Sequence, residues 1–299
     1  MSTILDRLEG ALVGHALCDR FNASTKMAFQ LGESLMELKE FDSSDVLSRY
    51  LWLYHTSTNN CDMGEIIKLV YHDLVSQIKT KKNNKITQQD FKFHVQQINA
   101  TSEKVNEKLH GLTAGCNPAH RSYPIALYSS IHNDDVFDIS KQEACLTHYS
   151  PEAGQVSGIV NLICRSLIIG QTWDSAVNNA FCVPNLSTDI QQIVSYHGRS
   201  SHIFEAKPSA YAPKVLKIAL DCVKNSKFFK DAYERIYRID NIYAPPIVGI
   251  LAGAQWGLTS MLNMINDSDQ SLSAIRKMAN ELAQPWERIL EKDNSKVHV

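Results

Sequence analysis

The chain has 299 residues, 44% hydrophobic and 21% charged, with a formal net charge of −2. That balance suffices for a large buried core and excludes a disordered polymer. It argues against a nucleic-acid binder that works through bulk positive charge, and no apolar run reaches the roughly 18 residues of a membrane span.

In chain order, helical periodicity dominates and no series of alternating strands is found. Leu5, Leu8, Ala11, Leu12 and His15 share one face of a first helix, and Met27, Ala28, Leu31 and Leu35 line a second. Ser43 and Ser44 are expected to cap a third that carries Val46, Leu47, Tyr50 and Leu51. Ile66, Ile67, Val70, Tyr71 and Leu74 mark a fourth. The basic stretch Lys79, Lys81, Lys82 and Lys85 reads as a solvated loop. Thr87 is expected to start a helix before Phe91, Val95 and Ile98, with a short continuation at Val105 and Leu109.

Further on, Pro151 opens a helix with Val156, Ile159, Val160 and Ile163 inward. Shorter helices are predicted over Trp173–Ala180 and Asp189–Tyr196, and longer ones around Val215–Val223 and Phe228–Ile236. Pro245 and Pro246 sit at a helix start, followed by Gly249, Ala252, Gly253, Ala254 and Gly257. Small side chains at that spacing predict a central helix that approaches its neighbours closely, with Asp240, Asn241, Ile242 and Tyr243 at the mouth of the bundle. Leu272, Ile275, Met278 and Leu282 give a late helix, and the polar end is read as a frayed tail. The expectation is an all-α fold, a single multi-helix domain over 1–291 with a polar tail at 292–299.

Seven cysteines are scattered singly without a Cys-x-x-Cys pair, which predicts free thiols and neither a zinc site nor a redox pair. With Asp6, Arg7 and Glu9 among the first apolar residues, the start does not read as a signal peptide. The expected location is therefore the reducing cytoplasm, and the Asn-x-Ser/Thr triplets at Asn22, Asn99, Asn185 and Asn266 are read as chance matches.

Four blocks in order carry a resemblance. They are Asp6 through Asp19, Thr25-Lys26-Met27-Ala28-Phe29 with Glu33-Ser34-Leu35, Leu146 through Ala153, and Asp240 through Gly257. Ala119-His120-Arg121-Ser122-Tyr123-Pro124 adds a weaker fifth. Together they resemble the ADP-ribosylglycohydrolase family, the group that includes dinitrogenase reductase-activating glycohydrolases. The resemblance implies an all-α fold of that type and a site for two magnesium ions, held by an acidic block before the second helix and another before the small-residue helix.

Those blocks fall on Asn22-Ala23-Ser24-Thr25 and on Asp240-Asn241-Ile242-Tyr243. Thr25 and Asp240 match. The family's aspartates are replaced by Ala23, Ser24 and Ile242, and Tyr243 is too long for the hydroxyl position. Magnesium requires hard oxygen ligands, usually with carboxylates. No catalytic residue, cofactor site or binuclear metal site is therefore expected, and at most one weak magnesium at Asp240. Thr25 reads equally as a helix-start hydroxyl, Asp240 as a helix cap, His148 as a hydrogen-bonded structural histidine, and Arg121 as half of an ion pair or as a phosphate ligand. Asp19 is assigned no catalytic role, and Cys145 with His148 does not make a catalytic pair.

Within the family the resemblance extends to the J1-crystallins of jellyfish lenses. It implies an abundant structural lens protein on a catalytically degenerate fold. A weakly active or altered ADP-ribosyl hydrolase, and a protein that binds ADP-ribose without cleaving it, are the alternatives. No nucleic-acid or membrane partner is expected, while self-association at high concentration and an ADP-ribose-like ligand are left open.

Overall fold

The structure, a computed structural model, describes residues 3–19, 22–57, 63–78, 86–195, 209–265, 273–284 and 286. The basic stretch 79–85, the tail 292–299 and the Asn266 triplet lie outside the described residues. Fourteen labelled helices follow one another: α1 (Ile4–Cys18), α2 (Ala23–Leu38), α3 (Ser43–Thr56), α4 (Glu65–Val75), α5 (Val95–Lys108), α6 (Asn117–Arg121), α7 (Pro124–Leu127), α8 (Val136–Cys145), α9 (Pro151–Ile168), α10 (Trp173–Ala180), α11 (Thr188–Ser195), α12 (Ala212–Lys224), α13 (Phe229–Ile239) and α14 (Pro245–Trp256). Residues 273–284 form a further helical stretch. Extended pairing among the described residues is confined to one isolated bridge between Gly115 and Tyr211. The fold is all-α.

The centre is built by α1, α9 and α14. Every residue of α14 from Pro245 to Ala254 is buried, as expected of a helix that is apolar all round. Pro245 and Pro246 occupy its first turn, where a missing N–H costs no intrahelical bond. The most extensive helix–helix contact in the fold joins α14 to α1. A side chain on Gly10 would overlap the Gly253 carbonyl, and one on Gly14 would overlap the Gly249 carbonyl and lie 2.8 Å from the Phe229 ring. The reverse also holds, since a side chain on Gly249 or Gly253 would run into the backbone of Gly14 or Gly10. This backbone-to-backbone approach is what the small-residue pattern predicts. On the other side, α9 packs against α8, α10 and α14.

Local starts differ from the expectations in three places. Asp42, not Ser43 or Ser44, caps α3 by accepting the Asp45 N–H. Thr87 does form a capping box with Asp90, but it opens only a short 3-10 turn, Gln88–Phe91. Val95 through Lys108 is then one continuous helix. Helix α8 had no counterpart in the sequence reading: its buried face, Val136, Phe137, Ser140, Glu143 and Ala144, holds helical spacing but includes polar residues, which hide the apolar period.

Candidate functional site

The two blocks aligned with metal-binding segments meet at a small cavity of about 110 Å³. Ala23, Ser24 and Met27 of α2 line one side, Ile242, Tyr243 and Pro246 another, and Asn117, His120 and Arg121 of α6 a third. Met63, Gly64 and Ile67 close it, and Asp19, after α1, is the one carboxylate in the lining. Gly64 has φ +85°, and the Asn117 amide donates to the Met63 carbonyl at 2.7 Å, which ties this wall to α6. Much of the lining is therefore hydrocarbon.

Thr25 lies in the first turn of α2, where N–H groups lack intrahelical acceptors. Asp19, at the end of α1, supplies one: its Oδ2 accepts the Thr25 N–H at 2.8 Å and the Thr25 hydroxyl at 2.8 Å. Burial pushes the Asp19 carboxyl up, but the neighbouring His15 and the Thr25 and Ser24 hydrogen bonds outweigh this and hold it below the usual value. Asp19 is thus the cap of α2.

Asp240 was expected at the mouth as a helix cap. It is instead buried, 3% exposed, at the end of α13. Its Oδ1 accepts the N–H groups of Ile242 at 2.9 Å and Tyr243 at 3.0 Å. The carboxylate thereby closes the tight turn before α14, as aspartate side chains do when they accept backbone N–H groups two and three residues on. Its Oδ2 is buried without a hydrogen-bond partner. Asn241 and Ile242 are the exposed members of the block, Ile242 at 36%.

Two histidines missing from the candidate set sit between these blocks. His15 is fully buried; its Nε2 is 3.2 Å from the Ser24 hydroxyl and its Nδ1 3.4 Å from the Thr25 hydroxyl. Its ring packs on Tyr123 at 4.7 Å between centroids, while His120, also buried, has an Nε2 without a hydrogen-bond partner. Burial pushes both imidazoles down to about 4, against the nearby carboxylate of Asp19 and, for His120, of Asp240. Both rings are therefore neutral at pH 7. Sequence spacing could not have brought residues 15, 24, 120 and 243 together.

Arg121 forms an ion pair, as one of its two readings expected: Nε donates to Glu143 Oε1 at 2.6 Å, with both side chains fully buried. Its Nη2 donates to the Thr147 hydroxyl at 2.9 Å, and Tyr50 donates to the same Glu143 oxygen at 3.0 Å. Burial opposes the Arg121 charge, and Glu143 more than restores it, raising its pKa. His148 is buried and its Nδ1 lies 2.8 Å from the Thr147 hydroxyl. Burial, followed by the charges of Arg121 and His120, lowers its pKa well below the ordinary value. It is a hydrogen-bonded core histidine. Cys145 lies on α8 with a thiol pushed up by burial, which disfavours the thiolate a nucleophile needs.

The donor set does not fit a pair of magnesium ions. Ala23 and Ile242 have no donor atom, the Thr25 hydroxyl proton is given to Asp19, and one Asp240 oxygen is committed to its own turn. What is left is the Asp19 carboxylate at the cavity and one unpartnered Asp240 oxygen, too few carboxylates for two magnesium ions. Among the described residues no group of three or more His, Cys, Asp or Glu side chains converges to hold a metal.

A family model described as ADP-ribosylglycohydrolase matches residues 19–289. A solved structure described as an ADP-ribosylglycohydrolase-related protein complex superposes with a TM-score of 0.71 at 18% identity, covering 95% of this chain and 99% of the other. At that identity the likeness shows the fold. No curated protein sequence matches. No helix among the described residues is long and apolar enough to cross a membrane.

Proposed function

Because this chain belongs to the ADP-ribosylglycohydrolase family, we propose that it is a member without metal-assisted hydrolysis of the ribosyl bond, serving as a structural protein of the lens-crystallin type. The observation that carries this reading is the donor set: Ala23, Ser24 and Ile242 at the aligned metal positions, with Thr25 and Asp240 engaged in holding local backbone. Two dications close together need several carboxylates to offset their repulsion and a water to activate between them, and these side chains supply neither. The crystallin role itself rests on the resemblance to J1-crystallins. The compact all-α build and near-zero net charge are compatible with it.

The decisive experiment is an assay of the purified chain on ADP-ribosylated protein and on small ADP-ribosyl conjugates, with and without magnesium. No turnover above the uncatalysed rate is expected, and magnesium-dependent hydrolysis overturns the reading in favour of a weakly active enzyme. For the structural role, immunodetection should place the protein as a major soluble component of lens tissue. Its absence there removes the crystallin assignment.

The persistence of a cavity edged by Ser24, Asn117, His120 and Tyr243 favours a second reading, ADP-ribose binding without cleavage. Its volume of about 110 Å³ is well below the roughly 300–1,000 Å³ of ordinary ligand pockets, which weights against it. A thermal-shift titration with ADP-ribose separates the two, since a ligand that binds only the folded state must raise Tm.

A further inference from the structure

We infer that the cleft between α1, α2, α3 and the helical stretch 273–284 is a binding site for an amphipathic organic anion, its apolar body against the cleft wall and its one carboxylate at Lys26. The site is separate from the small cavity described above, and neither turnover nor its absence bears on it.

The cleft follows from how α1 and α2 are used. Gly10 and Gly14 turn one face of α1 onto α14. Val13, Ala16 and Leu17 share another face, at the spacing that sets helix side chains beside one another, and this face lines the cleft. Helix α2 is divided in the same way. Ala23, Ser24 and Met27 face the small cavity, whereas Thr25, Lys26 and Phe29 face the cleft. Asp19 lies at the boundary and lines both.

The cleft encloses about 690 Å³, inside the roughly 300–1,000 Å³ of small-molecule pockets. Its wall is hydrocarbon. Val13 and Ile275 are buried, and Leu17, Phe29 and Leu53 are half-buried, so part of their apolar surface still meets water. A ligand that covers this surface gains from removing it from water.

The polar groups cluster around the start of α2: Asp19, Asn22, Thr25 and Lys26, with Gln30 one turn further on. Asp19 and Lys26 are the two charged residues of the lining, and they differ in availability. Asp19 Oδ2 already accepts the N–H and the hydroxyl of Thr25. Lys26 is exposed and takes part in no ion pair among the described residues. A cationic head group would compete with Thr25 for Asp19, whereas a carboxylate meets an available ammonium. One lysine beside a hydrocarbon wall suits a single negative charge and leaves a diphosphate without enough donors. The ligand class is therefore a monocarboxylate with an extended apolar body.

The test is titration calorimetry of the full chain with decanoate and with decanol, each below the concentration at which it aggregates. The natural chain is expected to bind one decanoate saturably and decanol more weakly. Lys26→Glu is expected to lose about tenfold or more in decanoate affinity and to leave decanol binding unchanged. Ala16→Phe, which fills the cleft from α1, is expected to abolish both. Lys26 is exposed, so its variant keeps the fold, and the comparison of decanoate with decanol decides alone if Ala16→Phe does not fold. The absence of saturable decanoate binding overturns the site, as does an Ala16→Phe chain that binds like the natural one. Equal decanoate affinity in Lys26→Glu overturns the anionic head group. A dimer in sedimentation that Ala16→Phe disrupts, without decanoate binding, assigns the cleft to a second copy of the chain and overturns the ligand.

Discussion

Arg121 and Glu143 meet at 2.6 Å with no solvent exposure on either side chain. The pair lies behind the cavity that Arg121 helps to line. Glu143 Oε1 also accepts from Tyr50, and the Arg121 guanidinium lies 5.2 Å from the Tyr50 ring centroid. Removing one partner leaves an uncompensated buried charge. Arg121→Ala is therefore expected to cost about 3–5 kcal/mol, read as a shift in the midpoint of urea unfolding with little change in slope. Replacing both residues with Met should cost distinctly less than Arg121→Ala alone. An Arg121→Ala chain as stable as the natural one would mean the pair contributes nothing.

A second prediction concerns the α1–α14 contact. Gly249→Ala places a methyl against the Gly14 backbone and the Cys18 side chain. Neither backbone can yield without separating two central helices. The expected loss is about 3 kcal/mol or more, at or above the usual range for overpacking, measured by circular dichroism melting. Gly170→Ala is a useful contrast. Nothing lies within 4 Å of a side chain there, and only its positive φ of 92° opposes the change.

Acid should weaken the fold through the buried histidines. His15 and His120 stay neutral in the folded chain down to about 4, whereas their ordinary value is 6.5. Between these values the unfolded chain binds more protons, so stability rises with pH. Their contribution is complete above 6.5, is lost as pH falls towards 4, and is flat below that. The groups facing them are Asp19 and Asp240, the Ser24 and Thr25 hydroxyls, and each other. The loss amounts to about 3 kcal/mol for each ring at most. His15→Gln and His120→Gln should each flatten the slope of unfolding free energy against pH in this window. Unchanged slopes in both would show that other groups set the acid limit.

Arg165 provides a fourth test. Its guanidinium donates to the carbonyls of Ala126, Ile131, Ile125 and Tyr128 at 2.6–2.9 Å and lies over the Trp286 ring at 5.5 Å. One planar fork thus satisfies the end of α7 and the loop after it. Lysine keeps the charge but not the fork. Arg165→Lys is expected to destabilise by about 2–4 kcal/mol, with protease cleavage appearing first around residues 125–133.

Much of the scaffold was legible in the sequence because it follows from local rules. The proline starts of α9 and α14, the span of α10, and the small residues of α14 depend on near neighbours or on one helix face. What was hidden depends on partners far apart in sequence. Helix α8 carries Ser140 and Glu143 inward, and partners far away in sequence, Asn161 for the first and Arg121 and Tyr50 for the second, make that tolerable. Asp240 looks like a helix cap until the Ile242 and Tyr243 N–H groups are seen on its oxygen. Likewise Asp19, six residues before Thr25, cannot be recognised as a helix cap without the geometry of the intervening turn. The sequence did identify where the site lies and which side chains it has lost. It could not show that two buried histidines, His15 and His120, lie beside that site.

The interlocked glycines also bear on the order in which the protein is made. Gly10 and Gly14 leave the ribosome more than 200 residues before Gly249 and Gly253. This seam therefore stays open until α14 is made, and closing it requires the two central elements farthest apart in sequence to find each other. Until then α1 presents a bare backbone groove with no partner, a surface that a chaperone, or a neighbouring nascent chain, could occupy first.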